Sequence, residues 1–430
     1  MNDARDLLLD SSRPVTVVGA GYSGLVTAFY LVREGFKVRV VEAKPGPGGL
    51  LQTVEDGFGL TETAANALLN SALAEDLLQS IGVEILPTLK TSRKRFIFRR
   101  GQPRRWPFSF AGTLRFVRFL VMRALFPSSL APKPYETARD WGNRAVGREL
   151  TEFGIEAFQQ GIYAGDPGRL SASLLFGRFF KKAQVLRPRI RGSVSAKHGM
   201  SEIIEKLRVY LELKEVEFVF EESYRFTETH SPRSPVVVAT SVRSAAELLK
   251  PLDPERANWL GQVETLPLLS ATVFFRNPAA KARGFGCLFP PREKRPMLGV
   301  LMNTFIFPNR SRQCYSETWI FGGASLQSAE VLLATDQDVL KVIERERLEC
   351  FGSQSERENA RITRWPFAIP HYTCDLEKIL PLIRRNRQNI FLVGNYLGEI
   401  GLSRILEIAK DTARQVREDG VWETEHGVHK

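Results

Sequence analysis

The stretch PVTVVGAGYSG, Pro14 to Gly24, constrains the chain more than any other: a β-branched run ends in Gly19-x-Gly21-x-x-Gly24, the helical LVTAFYLVREG follows, and a second strand, KVRVVEA, ends on Glu42-Ala43. Each glycine has a physical task. Gly19 permits the tight turn, Gly21 lets backbone approach a pyrophosphate, and Gly24 lets helix and strand pack closely. Ala20, Tyr22 and Ser23 complete the turn, whose helix N-terminus faces phosphate with unpaired N–H groups and the positive end of its dipole. Glu42, followed by Ala43 and Lys44, stands at the spacing of a carboxylate that accepts hydrogen bonds from ribose hydroxyls. That pattern predicts a dinucleotide with an unphosphorylated adenosine ribose, FAD or NAD rather than NADP.

At 430 residues and 43% hydrophobic, the chain is long enough for two or three domains. Its net charge of +12 is placed unevenly: from Ile85 to Tyr135 there are twelve Lys and Arg and no carboxylate. Seven of these fall in TSRKRFIFRRGQPRRWP, Thr91 to Pro107. A single-sign cluster repels itself, so this segment predicts an anionic partner. Nucleic acid is not supported, because zinc-finger spacing, an RNA-binding signature and a heptad-bearing basic helix are all missing from the sequence. Lipid and a polyanionic small molecule remain. The following LRFVRFLVMRALF, Leu114 to Phe126, sets Arg115, Arg118 and Arg123 on one side of a helix and most of its aliphatic residues on the other, with Phe119, Met122 and Phe126 blurring the division. With Trp106, Phe108 and Phe110 upstream, it reads either as a segment lying in a membrane interface or as a core helix with snorkelling arginines. No stretch has the uninterrupted apolar length of a spanning helix, and the N-terminus lacks the pattern of a secretory signal. Cytoplasmic placement with peripheral membrane association is the expectation. Four scattered cysteines and five histidines show no metal-ligand spacing and no disulfide framework, so no metal site is predicted.

Two further segments separate FAD from NAD. EAKPGPGGLLQT, Glu42 to Thr53, with Gly48, Gly49 and Leu50, resembles the segment of FAD-containing amine-oxidase-type flavoproteins that passes close to the cofactor diphosphate. NIFLVGNYLGEIGLSRILEIA, Asn389 to Ala409, resembles the closing motif of the same superfamily, in which Gly394, Asn395, Ile400, Gly401 and Leu402 meet the flavin. The resemblance implies non-covalent FAD, since no cysteine follows Cys374 to tether it. It also implies an α/β fold: a discontinuous Rossmann-type FAD-binding domain (1–88, 191–250 and 366–430), a substrate and helical membrane-associating region (89–190), and an inserted mixed-sheet substrate domain (251–365).

Within the middle of the chain the resemblance narrows to the protoporphyrinogen oxidase family. GIYAGDPGRLS (Gly161 to Ser171), KHGMSEIIEKL, VVVATSVRSAAELL, GFGCLFPPREKRPMLGVLMNTFIFPNR and RWPFAIPHY follow in the family's order. What this implies is an oxidase that dehydrogenates a porphyrinogen, protoporphyrinogen IX or coproporphyrinogen III, by hydride transfer to flavin, with dioxygen as acceptor and no side-chain catalyst. By resemblance Arg95 pairs with a propionate of the anionic tetrapyrrole, Gly161 offers its backbone, and Phe307 forms a ring-stacking wall. A homodimer is compatible with the family. Departures keep two alternatives open. Ala64-Ala65, Glu399 and Ala409 replace family residues near the flavin, and Gly46 and Leu50 replace basic ones. They admit a catalytically impaired flavin- or tetrapyrrole-binding homologue. The other alternative is a different oxidoreductase of the amine oxidase and desaturase superfamily. Ser270, standing where amine oxidases commonly carry lysine, weakens the amine version.

Overall fold

In the computed structural model the described residues are 14–180, 187–226, 232, 234–386, 389–398 and 400–419, with the backbone of 422–424 and 427–429. Two sheets organise them. The first is parallel and five-stranded, in the order Glu217–Val219, Val38–Val41, Val15–Val18, Val236–Val238, Ile390–Leu392. Its valine-rich strands are buried on both faces, as a parallel sheet requires. On one side the helix Tyr22–Arg33 brings Leu25, Val26 and Phe29 into a shared core with Ile405, Leu406, Ala409 and Ala413 of the helix Leu402–Asp419. Ala409, one of the departures from the family pattern, is a fully buried packing position in that core.

The second sheet is mixed and seven-stranded, in the order Arg357–Pro370, Thr265–Phe275, Tyr315–Gly322, Met297–Leu301, Gly286–Leu288, Arg95–Arg99, Gln102–Arg104. All pairings are antiparallel except that of Gly286–Leu288 with Arg95–Arg99. Side chains alternate between faces with period two. The register therefore assigns Phe98, Cys287, Val300, Trp319, Leu269 and Ala271 to one face, where they meet Val339, Ile343 and Phe351 of the helix Asp336–Phe351. Arg347 of that helix forms a fully buried pair with Glu317 at 3.0 Å and lies 4.0 Å over the Phe275 ring. The other face carries Arg95 and Ile97, Leu288, Gly299 and Leu301, Ile320, Ser270 and Thr363. Smaller and more polar, it is the face turned toward the candidate site.

The basic apolar segment forms the helix Phe110–Leu125, four residues earlier than its sequence pattern predicts, because Ser109 accepts the Gly112 N–H and caps it there. Gly112 is buried and Phe116, Phe119 and Met122 are half-buried, so two of the residues that blurred the sequence pattern help seat the helix on the protein, while the third, Phe126, is exposed. Phe110, Leu114, Val117, Val121 and Leu125 recur at helical spacing as an outward stripe, each about half exposed or more. This is not a core helix. Among the described residues no helix is long and apolar enough to cross a membrane.

Candidate flavin and substrate site

Four segments gather at the carboxyl ends of the parallel strands, the position at which such sheets bind ligands. Gly19, Glu42, Ala239 and Gly394 directly follow or lie one residue beyond strands whose registers align Val18 with Val41 and Val238, and Val238 with Leu392. Gly19 has φ +105°, and a Cβ there would come within 3.0 Å of the Ala239 carbonyl. A Cβ on Gly24 would lie 1.8 Å from the Gly19 carbonyl oxygen, so helix and turn are in contact through that glycine. The helix that starts at Tyr22 has no side-chain cap and no carboxylate in its first turn. The N–H groups of Tyr22, Ser23 and Gly24 are thus left to an anion.

The loop after the second strand folds over this turn. Gly48 N–H donates to the Ala20 carbonyl at 3.0 Å, and a Cβ on Gly49 would reach 3.3 Å from the Gly21 Cα. Glu42 accepts the N–H groups of Ala20 (2.7 Å) and Lys44 (3.0 Å), fixing both sides of the crevice. Ala43, Lys44 and Leu50 are exposed along its rim. At the far side the Asn395 carbonyl accepts the Tyr372 hydroxyl at 2.7 Å, and Gly401, with φ +97°, turns the chain into the last helix between half-buried Ile400 and Leu402. Glu399 lies outside the described residues. Glycine turn, uncapped helix start and carboxylate together fit the diphosphate and ribose of FAD.

Leu60–Ala65 runs from this crevice to the seven-stranded sheet, where the Trp365 indole donates to the Thr63 carbonyl at 2.8 Å. Ala64 and Ala65 are half-buried here. Next to them lies a constellation that the sequence did not reveal. Glu62 is buried, with Oε1 accepting the Met200 N–H (3.0 Å) and the Arg310 guanidinium (3.1 Å), and Oε2 accepting the Thr53 hydroxyl (2.7 Å). Arg310 also donates to Ser195. Burial pushes the Glu62 carboxyl above the ordinary carboxylate range and pulls Arg310 down, because both charges have lost water. Phe307 is 2% exposed and has the Arg310 guanidinium 5.2 Å from its ring centre, so one of its faces is already occupied.

The substrate candidates converge on one end of the seven-stranded sheet. Arg95 is exposed and stacks 4.6 Å over Phe285. Its register partner is Gly286, two residues from Leu288, and a Cβ on Gly161 would meet the Leu288 side chain at 2.3 Å. The segment bearing Phe307 reaches the same end: its Ile306 and Phe305 carbonyls accept the Leu89 N–H (2.8 Å) and the Thr91 hydroxyl (2.7 Å). The basic cluster divides. Arg99 points inward, paired with Glu149 at 2.7 Å and stacked on Phe153, and so serves the fold. Arg93, Lys94, Arg95, Arg100, Arg104 and Arg105 are exposed, and among the described residues none has a carboxylate side chain as an ion-pair partner. Further along, His371 is fully buried; its Nε2 accepts the Asp166 N–H at 3.2 Å and its Nδ1 lies 3.2 Å from Glu264.

This crevice and sheet define a flavoenzyme class. The chain belongs to the flavin containing amine oxidoreductase family, which matches residues 22–402, and it is an FAD-dependent oxidase. Among its relatives is the mitochondrial protoporphyrinogen oxidase of Nicotiana tabacum, 24% identical over a gapped alignment of 470 positions that covers 92% of this chain and 93% of the relative. The coproporphyrinogen III oxidase of Bacillus subtilis is 27% identical over 209 residues, 43% of either chain. The crystal structure of a protein of Exiguobacterium sp. 255-15 superposes with a TM-score of 0.75 at 18% identity, covering 95% of this chain and 99% of that one, and shows the shared fold.

Proposed function

We propose that this oxidase dehydrogenates a porphyrinogen, holding one of its carboxylates on Arg95. The observation that carries the reading is Arg95 itself: a guanidinium without a carboxylate partner among the described residues, steadied on Phe285, at the edge of the sheet face that carries Ser270 and Ile320. A planar fork held in this way suits bidentate pairing with a propionate. The exposed Arg93, Lys94, Arg100, Arg104 and Arg105 extend the positive field that would draw an anionic tetrapyrrole in. Ser270 supplies no amine at the place where amine oxidases commonly have one, which favours the porphyrinogen reading over an amine substrate. Bound FAD supplies the hydride acceptor. The chain's part is to seat the diphosphate on residues 19–24 and 48–49, hold the ribose near Glu42, orient the tetrapyrrole and exclude water. Gly161 lies against Leu288 on the proposed substrate side, whereas Phe307, buried and with Arg310 over its ring, offers no face for the stacking that the resemblance implied.

The test is anaerobic mixing of the yellow protein with protoporphyrinogen and, separately, coproporphyrinogen. Bleaching of the oxidised flavin band, reversed by air, supports the reading. Arg95→Ala should raise KM about 10- to 100-fold, the loss of a charge-assisted hydrogen bond, with an unchanged melting temperature because the side chain is exposed. Flavin that stays oxidised with both substrates sinks it.

The same reading places the protein on a membrane surface. The outward stripe Phe110, Leu114, Val117, Val121 and Leu125, beside exposed Arg115 and Arg118, has the form of a helix lying among headgroups. A Val117→Asp/Val121→Asp variant should lose co-sedimentation with vesicles of anionic lipid and keep its melting temperature. Unchanged sedimentation would refute the membrane placement.

A further inference from the structure

The helix Glu156–Tyr163 crosses the site-facing side of the seven-stranded sheet, and its contacts fix which of its faces does so. Gly161 abuts Leu288, the Ala164 carbonyl accepts the Ala324 N–H at 2.7 Å just beyond the Tyr315–Gly322 strand, and Ala157 is fully buried. Positions 157, 160, 161 and 164 share one side of a helix, so Gln160 belongs to the stripe that meets the sheet. Gln160 is 5% exposed, and its Oε1 is buried with no hydrogen-bond donor among the described residues. Its neighbour Gln159 is fully buried, with neither amide atom bonded. An unsatisfied buried amide costs about 1–3 kcal/mol, whereas leucine at the same place would pack without that cost. Gln160 Oε1 is thus an unpaired acceptor on the side of the helix that meets the sheet, and a ligand that brings a donor there would satisfy it.

We infer that Gln160 is a positioning residue whose Oε1 accepts a pyrrole N–H of the bound substrate, an inference that rests on the porphyrinogen reading. The chemistry matches on both sides. Every pyrrole of a porphyrinogen carries an N–H, the macrocycle offers these donors at its centre while its carboxylates lie at the rim, and Arg95 at the sheet edge takes the rim. Aromatisation removes half of the N–H donors, so a lone acceptor holds substrate better than product.

The experiment compares wild type, Gln160→Met and Gln160→Asn, each loaded with FAD, by steady-state oxidation of protoporphyrinogen and by melting of the ligand-free protein. Gln160→Met should raise KM about tenfold, the effect of one hydrogen bond lost from a buried donor, with a smaller change in kcat. Its melting temperature should stay or rise, since an unsatisfied amide has been removed. Gln160→Asn, which keeps an acceptor, should recover part of the KM. An unchanged KM in Gln160→Met overturns the inference, and so does a KM rise accompanied by a lower melting temperature, the mark of a structural amide. A wild-type flavin that protoporphyrinogen fails to reduce overturns the porphyrinogen reading itself and this inference with it; wild-type turnover with an unaffected variant overturns the inference alone.

Discussion

At the carboxyl ends of the parallel sheet, the groups turned toward a ligand are backbone N–H groups, and what fixes them is the steric need for glycine at 19, 24 and 49. On the seven-stranded sheet the ligand side is built from side chains instead, Arg95, Leu288, Ile320, Ser270 and Thr363, which strands from across some 270 residues place on one face by alternation. The first region tolerates almost no change at a few positions and is indifferent to most others. The second depends on register, so a change anywhere along a strand that shifts the pairing re-aims the whole surface. The proposed cofactor site is of the first kind, and the proposed substrate site is of the second.

The largest predicted effect lies where the two regions join. Arg310 comes from the loop that leads into the Tyr315–Gly322 strand and Glu62 from the segment leaving the glycine-turn crevice, and both are buried. Arg310→Leu leaves an uncompensated carboxylate and should cost about 3–5 kcal/mol in chemical denaturation. The double variant Glu62→Leu/Arg310→Leu should recover much of this, because the penalty belongs to the stranded charge. If the single variant costs less than about 1 kcal/mol, the two regions are not clamped together by this pair and the comparison reduces to two independent units.

A smaller effect isolates the backbone-built region. Gly24→Ala places a methyl group 1.8 Å from a carbonyl oxygen, and separating helix from turn should cost about 3 kcal/mol, with flavin lost on gel filtration. Gly46→Ala, in the same crevice but with no heavy atom within 4 Å of its Cβ, should stay within about 0.5 kcal/mol and keep its flavin. Equal losses from both would show that the crevice is generally intolerant, not governed by glycine sterics.

The same contrast explains what the sequence disclosed. A steric rule that admits one residue type leaves a local trace, which is why residues 19–24, 42 and 48–49 could be read within a forty-residue window. Convergence leaves none. Glu62 and Arg310 are separated by 248 positions, and neither stands in a motif that marks it as buried. Arg95 and Arg99 share a strand face and a residue type, and only the folded chain, by bringing Glu149 beside the second, divides the exposed arginine from the one that serves the fold. Helical period showed an amphipathic segment at 114–126, but Phe119, Met122 and Phe126 blurred its apolar side and nothing local told which residues would face protein. Gln160 gave no signal, because a buried polar residue looks from sequence like an exposed one.

A last prediction probes the substrate side with a proton. His371 ties the Asp166–Arg169 turn to the end of the Arg357–Pro370 strand: Nε2 accepts the Asp166 N–H, Nδ1 faces Glu264, and Arg169 in turn donates to Glu264 at 2.7 Å. Burial, outweighing the pull of Glu264, holds the imidazole below its ordinary value of 6.5. The folded protein therefore keeps a neutral ring while the unfolded chain takes up a proton near pH 6.5. Since the unfolded state binds the extra proton, stability is full above that pH and falls as pH drops below it, by at most about 1.4 kcal/mol per pH unit. His371→Gln keeps an acceptor for the Asp166 N–H but cannot titrate, so its melting temperature should decline less between pH 6.5 and 5.5 than that of wild type. Gly24, in the backbone-built crevice, has no ionisable counterpart, so wild type and His371→Gln should retain flavin equally across that range. Parallel melting curves for the two proteins would remove His371 as a source of acid sensitivity. Flavin loss in step with His371 protonation would show that the turn and the crevice unfold as one unit.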